Sequence, residues 1–350
     1  MPTYTPTALL GALVLTTALA APATPALNGA IWVADEAGSS LTVIDAATNK
    51  VRTTLTGVPA PHNVQLAPDG KSAWAVLGEN AQAVKIDTRT YQVLGRVNTG
   101  KSPAHVIVSQ DGRRAYVTNG ADGTVTIIDA GTLKPLSTVK VGASPHGLRA
   151  SADGRLVLVA NLASNSVSWI DTQTGKKLAD TAVGKAPAQV AFAPNGKNAY
   201  VSLRDENAVA VLDVATRKAT GKVKVGPGPI QVIVTPDNRF VLVANQGTRA
   251  RPGNTLTVVD AASLKVVADI KTGDGAHGVT VDPTGRYAYV TNTYASTLAV
   301  VDLQARRTVT VIPTGLSPNG VSFTPVSALP AGVKNLNLGQ PADGGHDEHH

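Results

Sequence analysis

An Asp closes a short run of Val, Ile, Leu and Thr at Asp45, Asp87, Asp129, Asp171, Asp213, Asp260 and Asp302, so one unit returns at intervals of 42, 42, 42, 42, 47 and 42 residues. A period near forty residues leaves room for about four short strands and their turns, the signature of a propeller blade. From Pro103 the unit reads as "AHVIVSQ", a "DGRR" turn, "AYVTN", "TVTIID" and "LSTVKVG": four strands, each too short to be stable unless stacked on its neighbours. The array starts in mid-repeat at "AIWVAD" (30–35) and stops in mid-repeat at "PNGVSFTP" (318–325). The first fragment lacks an inner strand and the last supplies one. The sequence therefore predicts an all-β, seven-bladed β-propeller of four-stranded antiparallel blades over 30–325. Pairing of the C-terminal inner strand with N-terminal strands is expected to close the ring.

Most of what repeats has an architectural explanation. The turns "APDGK", "SQDGR", "SADGR", "APNGK" and "DPTGR" supply Gly where a tight hairpin needs positive φ. The landmark Asp residues are followed three positions later by Thr48, Thr90, Thr132, Thr174, Thr216 and Ser263, the spacing of an Asx-type turn. Trp32, Trp74, Tyr116, Tyr200 and Tyr289 share one phase of the second strand and are expected to pack between blades.

The units "PAHVIVSQDGRRAYVTNGADGTVTIIDAGTLKPLSTVKVG" and "AHGVTVDPTGRYAYVTNTYASTLAVVDLQARRTVTVIPTG" resemble the YVTN-type β-propeller repeats of exported bacterial and archaeal surface or periplasmic proteins. The resemblance spans about 30–325. It implies a propeller and an exported location, and leaves function open, since relatives of that family include proteins that bind haem or hydrolyse lactones.

Residues 1–20 contain no charged side chain, the run "ALLGALVLTTALA" fills 8–20, and Ala18 and Ala20 supply an A-x-A cleavage pattern. This reads as a signal peptide, the run being shorter than the ~20 residues needed to span a bilayer. The expected location is periplasmic or extracellular. No transmembrane segment is expected after cleavage. With 0 Cys the chain has neither disulfides nor thiolate metal sites, and no lipidated Cys to anchor it. Metal ligation falls to His and carboxylates.

A propeller concentrates its variation on one face. Starts of the inner strands give His62, His105, His146, Gln189, Gln231, His277 and Asn319, a partial ring of imidazoles and amides at the mouth of the central channel. His62, His146 and His277 share one phase, and His105 is displaced by one residue, which on strict strand alternation turns it elsewhere. Arg149 sits in an inner strand where the other repeats carry Gln65, Ile107, Ala191, Ile233, Thr280 and Ser322, a channel-lining position. One repeat carries five extra residues, within "QGTRARPGN" (246–254), whose Arg249 and Arg251 suit a carboxylate or phosphate. Arg204 lies in the matching loop of the previous repeat. Residues 326–350 read as a flexible C-terminal tail, with His346, His349 and His350 beside Asp347 and Glu348 as a second set of metal ligands.

Three readings stay open from sequence. The first is a non-enzymatic exported binding or scaffold protein whose top face takes an envelope protein, a glycan or a small ligand. The second is a redox or metal-handling protein holding copper or zinc, or another cofactor, on the channel-mouth and tail histidines. The third is a lactonase-like hydrolase. The net charge of +7 favours anionic polymers, yet it is spread along the blades without a basic run, so nucleic acid is an unfavoured partner.

Overall fold

The computed structural model describes residue 1, residues 28–327 and residues 329–339. The predicted signal peptide and the His-rich end of the tail lie outside them. Seven sheets form a ring of blades, six of four strands and one of five. Blade 2 runs Val64–Leu66, Ser72–Leu77, Gln82–Asp87 and Val93–Asn98 from channel to rim, and blades 3 to 7 repeat it with inner strands Pro103–Val108, Pro145–Ala150, Pro187–Phe192, Pro229–Val234 and Ala276–Val281. Among the described residues no helix is long and apolar enough to cross a membrane.

The core lies between blades. Second and third strands are covered on both faces, so Ala30–Asp35 and Ser72–Leu77 are buried throughout, whereas the outer strand Lys134–Lys140 is exposed except at Val139. This explains why "AYVTN" repeats without apolar–polar alternation. Each aromatic named above fills a seam between its own blade and the next: Trp32 against Val64 and Leu66, Trp74 against Val106 and Val117, Tyr116 against Leu148 and Val157, Tyr200 against Val232 and Val241, and Tyr289 against Ile31 and Val33. The Asx turns form as expected. Asp45 Oδ1 accepts from both the backbone N–H and the hydroxyl of Thr48 at 2.8 Å, and Asp87, Asp129, Asp171, Asp213 and Asp260 repeat the pair.

Closure uses the two fragments. Pro318–Thr324 becomes the inner strand of blade 1 and pairs antiparallel with Ala30–Asp35, with Val321 opposite Val33 and Phe323 opposite Ile31.

Two expectations need correction. The tail is not free from residue 326 onward: Gly332–Asn335 adds a fifth strand, parallel to Lys50–Thr56, on the outer edge of blade 1. The Tyr91 hydroxyl donates to Leu329 O at 2.7 Å, the Arg96 guanidinium donates to the carbonyls of Leu338 and Asn337, and Leu338 is fully buried. The open edge of Lys50–Thr56 and the apolar side chains of Leu336 and Leu338 draw the segment down. Residues 246–254 are likewise no irregular loop. Phe240–Thr248 and Arg251–Asp260 are lengthened strands of blade 6, paired through Gly247–Pro252 and Thr248–Arg251 into a projecting hairpin.

Candidate metal centre

Every inner strand that begins Pro-x-x or Ala-His-Gly carries a register shift at its start, as between Pro145 and Leu148, or Pro103 and Val106. A bulge breaks the two-residue alternation, so the first and second residues after the Pro both reach the channel mouth. The two positions trade bulk. His146 and His277 are followed by Gly147 and Gly278, whereas Ala104, Ala188 and Ile230 are followed by His105, Gln189 and Gln231. A Cβ on Gly147 would collide with the Gln189 amide and, at 2.7 Å, with the backbone carbonyl of Ala188, which leaves room for glycine there.

The displaced histidine is thus no outlier. The His105 ring lies 4.8 Å from that of His146 and 5.4 Å from that of His62, and His62 lies 5.1 Å from His146 and 5.9 Å from His277. One nitrogen each from His62, His105 and His146 falls within 4.8 Å of the others. Sequence reasoning expected His105 to face differently, and the bulge is the reason it does not.

Hydrogen bonds fix the protons. His146 Nδ1 lies 2.9 Å from Ala188 O, which can only accept, so Nδ1 carries the hydrogen and Nε2 presents a lone pair. That lone pair meets His62 Nε2 at 3.1 Å, and His62 Nδ1 meets Glu36 Oε1 at 3.1 Å. An imidazolium at His62, donating from both nitrogens, satisfies both contacts. Burial disfavours its charge, but the carboxylate of Glu36 outweighs burial and raises the pKa above the ordinary value. Burial first, then electrostatic competition with the imidazoles of His146 and His62 and the charge of Arg149, hold His105 well below its ordinary range, and burial pushes His146 down to about 3. His105 is 2% exposed, and both its ring nitrogens are buried without a hydrogen-bond partner. Each such nitrogen costs roughly 1–3 kcal/mol.

Asn319 joins the network, its Nδ2 donating to Glu36 Oε2 and lying 3.2 Å from His62 Nδ1. Glu36 was missed from sequence. Its signal was positional: it follows the second strand where the other blades carry Gly78, Gly120, Leu162, Arg204, Gln246 and Thr293.

The other predicted residues divide. Gln189 and Gln231 are buried beside the mouth, outside the three-nitrogen group. Arg149 is half-buried, its Nη1 donating to Leu148 O at 2.9 Å, and burial pushes its pKa down to about 10. Of the rim residues, Arg204 pairs with its neighbour Asp205 at 2.9 Å and its charge helps to lower the pKa of His146, Arg249 stacks 5.2 Å over Tyr294, and Arg251 is exposed at the hairpin tip. Replacing Arg249 and Arg251 together by Ala should cost no more than the ~0.5–1 kcal/mol of one exposed cation–π contact, read as a small shift in the thermal midpoint. A large shift would mean that the hairpin buttresses blade 7. His346, His349 and His350 lie outside the described residues.

The structure is a seven-bladed propeller with a histidine cluster at one mouth of its channel. The YNCE-like beta-propeller model matches residues 96–238 and again 180–327, together well over half of the chain, and the chain belongs to that family. The model of the cytochrome D1 heme domain matches residues 29–146. Among solved structures the chain is similar to Kuenenia stuttgartiensis hydrazine synthase (TM-score 0.69, 22% identity, 77% of this chain and 90% of that one). It is similar to the dihydro-heme d1 dehydrogenase NirN in complex with DHE (0.63, 16%, 85% and 76%). A putative 6-phosphogluconolactonase from Bacteroides fragilis is a third (0.71, 16%, 87% and 100%). At these identities the likeness is one of fold. No curated protein matches the chain at a significant level.

Proposed function

We propose that this chain is an exported metal-handling propeller that holds one copper or zinc ion at the mouth of its channel, with His62, His105 and His146 as ligands. The observation that carries the reading is His105: a buried imidazole with no hydrogen bond to either nitrogen, one of three whose ring nitrogens lie within 4.8 Å of one another. Imidazole suits copper and zinc, and metal–nitrogen bonds of ~2.0–2.1 Å set ligand nitrogens roughly 3.3 Å apart in a tetrahedron. The 3.1 Å between His62 and His146 is close to that spacing. A metal would replace the proton shared by these two rings, while Glu36 keeps Nδ1–H of His62 oriented, the usual carboxylate–histidine–metal arrangement.

The match to the cytochrome D1 heme domain and the likeness to NirN raise a tetrapyrrole as a rival. Two axial imidazoles on opposite faces of a haem iron stand about 4 Å apart, twice a ~2.0 Å bond, with the macrocycle between them. His62 and His146 touch directly, so they do not fit that role. The signal-like residues 1–20 and YVTN-type repeats support an envelope location, where the top face would meet its partner or donor of metal.

Calorimetric titration of zinc and copper into metal-free protein tests this, using the full chain and a form ending at residue 339 that lacks the tail histidines. One site per chain in both forms is expected. His105→Ala should weaken it about 100-fold or more, and Glu36→Gln about 10-fold or more. Affinity should fall as pH drops through the raised pKa of His62, because the proton competes with the ion. Loss of all binding in the form ending at 339 would transfer the site to the tail and reject this reading.

A further inference from the structure

Arg149 is the half-buried cation that the metal reading leaves unexplained. It lies three residues below His146 on the inner strand Pro145–Ala150, roughly 10 Å down the channel wall. Its electrostatic influence reaches His105. Six of the seven blades have an uncharged residue at this position.

Among the described residues no carboxylate pairs with Arg149, while seven other ion pairs are formed. Its single hydrogen bond uses Nη1, toward Leu148 O. The Nε–Nη2 edge has no partner among those residues. The free edge of this half-buried guanidinium has no counter-charge, and partial burial strengthens its attraction for an anion in the channel. A second unused donor lies on the adjacent inner strand: Gln189 is fully buried, its Oε1 accepts from Val190 N at 2.9 Å, and its Nε2 has no partner. That amide packs against Gly147, two residues from Arg149.

We propose that the channel just below the histidines is an anion subsite for a small planar oxyanion, a carboxylate or bicarbonate, with Arg149 as its fork and Gln189 as an additional donor. The free guanidinium edge offers two parallel N–H groups, which match the two oxygens of a carboxylate. The subsite stands on these residues alone. A metal ion above it would add positive charge and tighten the anion, so the two sites are coupled but separately testable.

The test uses metal-free full-length protein in low-chloride buffer, titrated with formate, bicarbonate, phosphate and chloride, followed by calorimetry and thermal melts. Wild type should bind one formate or bicarbonate and melt at rising temperature as either is added. Arg149→Gln, the residue blade 2 already carries there as Gln65, should bind at least tenfold more weakly, and its melting point should not respond to the anion. Without anion, Arg149→Gln and Arg149→Met should melt close to or above the wild-type temperature, since an unpaired, half-buried charge has been removed. An equal response to formate in wild type and Arg149→Gln would overturn the subsite. Arg149-dependent binding of phosphate or chloride in preference to formate would overturn the planar assignment. Failure of metal binding with formate binding intact would sink only the metal reading.

Discussion

A chain ending at residue 317 should lose cooperative thermal unfolding or melt far below the intact protein, at a cost of at least ~5 kcal/mol, a large share of what holds a typical domain together. The strand it lacks, Pro318–Thr324, is buried over Pro318–Ser322 and again at Thr324. It pairs with Ala30–Asp35 and also bolts two seams. Toward blade 7, the hydroxyls of Thr291 and Thr293 donate to the carbonyls of Asn319 and Pro318 at 2.8 Å. Toward blade 2, Gly320 N donates to His62 O at 3.1 Å and Leu66 N donates to the Ser322 hydroxyl at 3.1 Å. Its removal strips both faces of a seam that each blade needs. A chain ending at residue 327 should suffer less, losing the Gly332–Asn335 strand and buried Leu338, about 2–5 kcal/mol by the cost of emptying one large apolar site. Melts followed by far-UV circular dichroism should rank the three forms in that order. A form ending at 317 that melted within a few degrees of wild type would refute closure by this strand.

Asp35→Asn should stabilise the protein, increasingly so as pH rises. Asp35 is fully buried, and burial pushes its carboxyl up to about 7 against the lowering effect of hydrogen bonds from Thr42 at 2.6 Å and Ser40 at 3.1 Å. The folded state therefore binds this proton more tightly than the unfolded chain, whose value is 3.8. Ionising it disfavours folding: the penalty is absent below about pH 4, grows between the two values and is complete above about 7, on the order of 4 kcal/mol. Blades 3 and 4 show the remedy. Asn119 accepts from Gly100 N at 2.9 Å through Oδ1 and donates to Thr124 and Thr126 through Nδ2, and Asn161 does the same with Gly142, Ser166 and Ser168. Asn at 35 would find Gly315, Ser40 and Thr42 in those roles. Melting temperatures of the two proteins should coincide near pH 4 and diverge by several degrees at pH 8. A variant less stable at pH 8 would show that the carboxylate is needed where it stands.

The blade count and the closing strand were legible because the Asp spacing is rigid and the fragments at Ala30–Asp35 and Pro318–Thr324 complement each other. The histidine ring was legible as a list of positions. What it builds was not, because strand alternation assigns His105 and His146 to opposite faces, and the bulge that overrides it belongs to the pairing of the first and second strands, which alternation does not show. Glu36 was hidden for a related reason: its partner His62 belongs to the next blade, and nothing local marks the pair. The Gly332–Asn335 strand was missed because composition averages over "GVKNLNL", whereas what matters is whether Leu336 and Leu338 find an open edge. Arg249 and Arg251 were conspicuous in sequence because they sit at the tip of an exposed hairpin, whereas Arg204, in the previous blade, acts on His146 through its charge, a reach that no spacing in the sequence shows.

The knot of Glu36, His62 and Asn319 ties together segments that lie 26, 257 and 283 positions apart. Two of its members are made early in synthesis and the third only after six blades have been read out. Blades 2 to 7 can stack on one another as they emerge, since their contacts are local or between neighbours. Blade 1 waits with an empty inner edge until residue 324 is available. The carboxylate that orients His62 is held in its final position only at that moment, so the site becomes competent last, and a chain caught before closure carries histidines without the geometry that would let them hold an ion.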